Sequence, residues 1–98
     1  MEIEFTLEFN KWLRELKDRR AIQYIAQRFV RFQDENFGDH KIFSGGLYEF
    51  RIHYGPGYRL YGVKKAQTII LLLCGGNKSS QQKDIEKAYK LMKEYLND

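Results

Sequence analysis

The stretch that most limits what this chain can become is Thr68-Ile69-Ile70-Leu71-Leu72-Leu73-Cys74, closed by Gly75-Gly76. It is far too short to cross a membrane, which takes about 20 apolar residues in a helix. Nor does it alternate, so it does not suit a sheet with one wet face. A short, continuous apolar run between turn signals is a strand covered on both faces. The rest of the chain therefore has to supply two coverings for it.

Upstream, Ile3-Glu4-Phe5-Thr6-Leu7 alternates and predicts a first strand. Phe9, Trp12, Leu13 and Leu16 recur at spacings of three and four, which predicts a short helix. Asp18 is placed to cap a second helix, with Ala21, Ile22, Ile25, Ala26, Phe29, Val30 and Phe32 as its apolar positions. Phe37-Gly38-Asp39 is read as its end, with Gly38 as a left-handed cap. The period then changes to two. Tyr48, Phe50, Ile52 and Tyr54 share one face of a strand, and Leu47, Glu49, Arg51 and His53 share the other. Gly55-Pro56-Gly57 is a turn, and Tyr58 to Lys64 is the returning strand. Lys65-Ala66-Gln67 connects it to the apolar run. Ser79 or Ser80 can cap a last helix with Ile85, Ala88, Tyr89, Met92 and Leu96 as its buried stripe. The predicted order is β-α-α-β-β-β-α in one α+β domain spanning residues 1–98.

Charge is uneven. Residues 1–40 hold seven Lys/Arg against eight Asp/Glu, whereas residues 41–93 hold ten against three. A polyanion or an acidic partner suits such a field, although a generally basic soluble surface accounts for it too. Seven Tyr and seven Phe can fill a small core or offer surface for stacking on bases. Cys74 is the only cysteine, so an internal disulfide and a Cys-rich zinc site are excluded. Its apolar surroundings mark it as a buried, inert thiol. Glu2 and Glu4 stand where a signal peptide carries positive charge, so a cytoplasmic protein is expected.

If Gly55, Pro56 and Gly57 form a three-residue loop, Tyr54 pairs with Tyr58, His53 faces Arg59 and Arg51 faces Tyr61. A two-residue loop would turn Arg59 into the apolar face, where an unpaired guanidinium is costly. The preferred register leaves Glu49, Arg51, His53, Arg59 and Tyr61 as a polar strip, with Lys78 approaching from its edge. Two cations at one phosphate suit RNA cleavage by the substrate's own 2′-hydroxyl, where charge builds up on a pentacoordinate phosphorus. Arginine binds two phosphate oxygens with its fork. Glu49 is the candidate base, and His53 or Tyr61 the candidate proton donor. The same residues also read as a cross-strand salt-bridge network on a solvated sheet face.

Other chemistries find less support. Gly75-Gly76-Asn77-Lys78-Ser79-Ser80 lacks the glycine spacing of a nucleotide-binding G-x-x-x-x-G-K-[ST] loop, although a single phosphate near Lys78 is compatible with it. His40 and His53 have no partner at ligand spacing, so no metal and no cofactor are expected. Lys83, Lys87, Lys90 and Lys93 lie close to one face of the last helix, as a solvated face or as contacts to RNA.

Several blocks taken in series resemble the RelE/ParE toxin superfamily, in its HigB-like branch of phage-derived addiction module killer proteins. They run from Phe9-Asn10-Lys11-Trp12-Leu13 and Leu16-Lys17-Asp18 to Gly38-Asp39-His40-Lys41 and Gly46-Leu47-Tyr48-Glu49-Phe50-Arg51-Ile52. They continue through Gly55-Pro56-Gly57-Tyr58-Arg59-Leu60-Tyr61 and Leu73-Cys74-Gly75-Gly76-Asn77-Lys78-Ser79-Ser80-Gln81 to Asp84-Ile85 and Ala88. The resemblance implies a compact, microbial ribonuclease-like fold with a mainly antiparallel sheet. It implies metal-independent, ribosome-dependent cleavage of messenger RNA. It also implies a HigA-like helix-turn-helix antitoxin, in a complex that can be a heterotetramer. Arg59 matches the family arginine that stabilises the transition state, while Arg51 and Lys78 fall where RelE-type toxins place further cations. The tyrosine or histidine that some relatives carry near the end of the chain has no counterpart, and Asp84 stands roughly there. Relatives that poison gyrase share the fold without the catalytic set. A non-enzymatic inhibitor of gyrase or of a ribosomal surface is thus the alternative.

Overall fold

The computed structural model describes residues 1–96. The chain runs β1 (Glu2–Phe5), α1 (Leu7–Glu15), α2 (Arg19–Gln33), β2 (His40–Phe43), β3 (Leu47–Ile52), β4 (Tyr58–Ala66), β5 (Ile69–Asn77) and α3 (Gln81–Leu96). The five strands form one sheet in the order β1-β5-β4-β3-β2. β1 runs parallel to β5, and every other pairing is antiparallel. The α+β class and mainly antiparallel sheet expected from the sequence are present, with β2 as one strand more. Four residues long and exposed along most of its length, β2 has too little apolar alternation to announce itself.

β5 is the doubly covered strand. Ile70 and Leu72 point into a core with Phe9 of α1, Ala21, Ile25 and Phe32 of α2, and Phe50, Ile52 and Leu60 of β3 and β4. Leu71 and Leu73 point the other way, to Leu47, Tyr61 and Val63 and to Ala88 and Leu91 of α3. Two helices thus cover one face and one helix covers the other. The first core is largely aromatic, with Phe32 and Phe50 ring centroids 4.5 Å apart. Most of the abundant Phe is spent here. Val30 and Ala26 are exposed, so the apolar stripe of α2 is narrower than its sequence implies.

The glycine pair is where both coverings close on the end of β5. A Cβ at Gly75 would lie about 2.5 Å from the Trp12 ring of α1, and one at Gly76 would run into the Asp84 carboxylate and Ser80. Neither position has room for a side chain.

Helix ends follow local chemistry. The Asp18 carboxylate accepts from Arg20 N and Ala21 N, at 3.0 and 3.2 Å, as its position predicted. Thr6 caps α1 by accepting from Phe9 N, and its hydroxyl donates to Leu73 O at 2.6 Å, pinning the helix start to β5. α2 stops at Gln33, earlier than expected, because Glu35 takes a left-handed conformation (φ 58°). Gly38 (φ 63°) instead bends the chain into β2. Asn77 caps the tight turn Lys78–Ser80 that leads into α3, its side chain accepting from Ser79 N and Ser80 N, and Ser80, directly before α3, donates its hydroxyl to the Asp84 carboxylate.

Candidate active site

The β3–β4 hairpin pairs Glu49 with Tyr61, Arg51 with Arg59 and Ile52 with Tyr58. The predicted pairing of Tyr54 with Tyr58 is displaced by two residues, and the loop spans residues 53–57. The cause is tertiary. The Tyr54 hydroxyl donates to Asp18 Oδ1 at 3.2 Å and its ring lies 5.0 Å from Tyr24, so α2 draws Tyr54 out of the ladder. Gly55 and Gly57 (φ 57° and 79°) close the longer turn. A shift of two preserves side-chain parity. Glu49, Arg51, Arg59 and Tyr61 therefore still share a face, the one that carries α3. His53 has left it for the loop.

That face is not open to water at Glu49. The carboxylate is fully buried, and its four partners come from three elements. Oε1 accepts from Arg51 Nε and Arg59 Nη1, each at 2.9 Å. Oε2 accepts from the Tyr61 hydroxyl at 3.0 Å and from Gln81 Nε2 at 2.9 Å. Burial alone would raise its pKa, but the bonds from Arg51, Gln81 and Tyr61 and the Arg59 charge outweigh it and hold Glu49 below the usual carboxylate range. A carboxylate so satisfied is a poor proton acceptor, in contrast to the candidate base read from the sequence. Tyr61 is also fully buried, and burial beside Glu49 pushes its phenol far up. Its hydroxyl is turned inward to the carboxylate, not outward to RNA.

The arginines reach the surface from this anchor. The Arg51 side chain is 30% exposed and that of Arg59 is 14% exposed. Each spends one donor on Glu49, leaving most of a five-donor fork for another partner. Arg59 pairs with Gly76, and Lys78 follows two residues later. Lys78 lines a cleft of about 270 Å³ with His53, Tyr54, Gly55, Pro56 and Gly57 at the hairpin end. His53 is bonded through Nε2 to Asp39 Oδ2, and that bond is the main reason the Asp39 carboxyl sits below its ordinary range.

Lys83 and Lys87 do not join this group. Both are exposed on the side of α3 away from Gln81, and Lys87 borders Lys11, Trp12 and Glu15 of α1. Cys74 is buried with its thiol pushed up to about 12, mainly by desolvation, so it is unreactive at neutral pH. Among the described residues, no three His, Cys, Asp or Glu side chains gather where they could hold a metal ion. No described helix is long and apolar enough to cross a membrane.

Sequence reasoning missed Gln81, Asp39 and Arg28. Gln81 and Asp39 reach Glu49 and His53 across 32 and 14 residues, and no local pattern marks such partners. Arg28, which no motif singles out, is buried, and its guanidinium donates to Phe37 O, Asp39 O and Arg51 O at 3.4, 3.3 and 2.6 Å. It ties α2 to β3 and to the turn that carries Asp39.

No protein-family model matches the sequence. A solved structure of the E. coli toxin RelE, a mutant in the free state, superposes with a TM-score of 0.72 over 91% of this chain and 94% of that one, at 15% identity. At that identity the likeness is one of fold. A Haemophilus influenzae protein described as uncharacterised is 45% identical over 94 residues, covering 96% of this chain and 95% of the relative. The chain therefore belongs to one family with that H. influenzae protein, and its fold is the RelE fold.

Proposed function

We propose that this chain is the toxin of a toxin–antitoxin pair and cleaves messenger RNA on the ribosome, without a metal, by attack of the substrate's own 2′-hydroxyl. One observation carries the reading. Arg51 and Arg59 are held by the same buried oxygen, Glu49 Oε1, at 2.9 Å each, and both reach the surface with donors to spare. Such a preorganised pair of forks suits a phosphoryl group that gains charge. The RelE fold and the expected family arginine at position 59 point the same way.

In this reading the 2′-oxygen bonds to phosphorus and the bond to the 5′-oxygen breaks. The products carry a 2′,3′-cyclic phosphate and a 5′-hydroxyl. Arg59 and Arg51 bind the equatorial oxygens, and Lys78 neutralises the strand beside them. Glu49 fixes the two guanidinia. His53, in the Lys78 cleft, is the candidate for proton transfer. A helix-turn-helix antitoxin is the expected partner and the cytoplasm the expected compartment, since ribosomes and message are there.

The test is induction of the chain alone in a bacterium. Growth should stop, and the adjacent antitoxin should restore it. Arg59→Ala removes one of the four Glu49 partners, so its fold is checked by circular dichroism, and the folded protein should be harmless. Arrest that persists with folded Arg59→Ala favours a non-enzymatic inhibitor of gyrase or the ribosome built on the same fold.

A further inference from the structure

We infer that the pocket between α2 and the β3–β4 loop is a nucleobase subsite for single-stranded RNA leaving the arginine clamp. The inference rests on the ribonuclease reading and adds a second recognition surface to it. The pocket, of about 240 Å³, is lined by Tyr24, Gln27, Arg28, Arg31, Ile52, His53 and Tyr54. His53 and Tyr54 also line the Lys78 cleft, so the two depressions adjoin across that pair. Arg51 and Arg59 form the second-to-last pair of the hairpin at the same end of the sheet. The arginines stand on the α3 face and the pocket on the α2 face, so a strand clamped there would turn round the hairpin end, past Lys78 and His53, to enter this pocket.

The lining has the chemistry of base recognition. Tyr24 is 41% exposed, and its ring lies against Tyr54, whose hydroxyl is fixed by Asp18. A ring immobilised from behind and open in front is a stacking platform, and such stacking tolerates any base. Gln27 brings an exposed amide able to bond a base edge, and Arg31 an exposed cation able to meet a phosphate. Arg28 is spent on three backbone carbonyls and acts as the floor. Tyr24, Gln27 and Arg31 thus leave an aromatic ring, an amide and a cation open to solvent along the pocket. A core role would have buried Tyr24 as it buries Phe32.

The probe is a short single-stranded RNA with 2′-methoxy groups, which cannot be cleaved, titrated into the full chain and followed by amide NMR. A second titration uses the same strand with one abasic position. Shifts should move at Arg51, Arg59 and Lys78 and also at Tyr24, Gln27, Arg31 and Tyr54. Tyr24→Ala should weaken binding about tenfold, as expected for loss of one stacked base, and Tyr24→Phe should not. With the abasic strand at the matching position, Tyr24→Ala should cost nothing further. Shifts confined to Arg51, Arg59 and Lys78, or equal affinity of Tyr24→Ala and wild type, overturn the subsite and leave the ribonuclease reading standing. No shift at any of these residues, together with intact message in a translating extract, overturns both.

Discussion

The two faces of one sheet solve opposite problems. On the α1/α2 face, β3 and β4 present Phe50, Ile52 and Leu60 to Phe9, Ile25 and Phe32, and hydrocarbon meets hydrocarbon. On the α3 face, the same two strands begin with Leu47 and Val63 but end in an ionised carboxylate with four donors. The apolar face gains from any well-filled packing. The polar end gains only if every partner is present, since a half-satisfied buried charge costs more than none. It is also the end where the arginines reach the surface. Both faces of the single layer thus hold the fold together, and the α3 face also carries the candidate chemistry.

The comparison predicts where substitutions hurt and how. Glu49→Ala strands Arg51, Arg59, Tyr61 and Gln81 and should cost about 3–5 kcal/mol. Phe50→Ala should cost a similar amount, about 3–5 kcal/mol, through a cavity in the aromatic core. Urea denaturation measures both. The two should part when Tyr61 is then changed to Phe: it adds little on a Glu49→Ala background and its full effect on Phe50→Ala. Additive losses in both would mean that the carboxylate network is not a unit.

Adjacent glycines sharpen the contrast further. Gly75→Ala pushes a methyl group into the Trp12 ring on the first face and should destabilise by roughly 1–3 kcal/mol. Gly76→Ala meets the Asp84 side chain, which can turn aside, so it should cost less in the same urea titration. The reverse order would show that the α3 face is the more rigid of the two.

The smallest effect is one of pH. Glu49 is held below its ordinary carboxylate value, so it binds a proton less readily folded than unfolded. Its contribution to stability is complete above the unfolded pKa, about 4.3, and is lost as pH falls through the lower folded value. Asp39 acts in the same direction from an exposed position. Glu49→Gln should therefore flatten the acid limb of stability, leaving the part due to Asp39 and other carboxylates. Phe50→Leu should lower the whole curve and keep its slope.

These contrasts bear on what the chain discloses before it is folded. Face assignment was legible, because alternation in Leu47–Ile52 and Tyr58–Val63 is a local property that survives a register error of two. The doubly covered run was legible for the same reason. The loop length was not, since it is set by Asp18 and Tyr24, 36 and 30 residues before Tyr54. Nor was the burial of Glu49, which depends on α3 arriving with Gln81. The strip of polar residues was found, but its division into a buried anchor and two emergent arginines belongs to packing. Lys83 and Lys87 were drawn toward the site by charge alone, and helix geometry turns them away.

The most direct test of the central claim is the end chemistry of RNA cut in a translating extract by wild type and by folded Arg59→Ala. Wild type should leave 2′,3′-cyclic phosphate or 3′-phosphate and 5′-hydroxyl ends, and Arg59→Ala should lower the cleavage rate about 10²–10³-fold. Primary cuts bearing 5′-phosphate and 3′-hydroxyl ends, or cleavage undiminished by Arg59→Ala, would contradict the account.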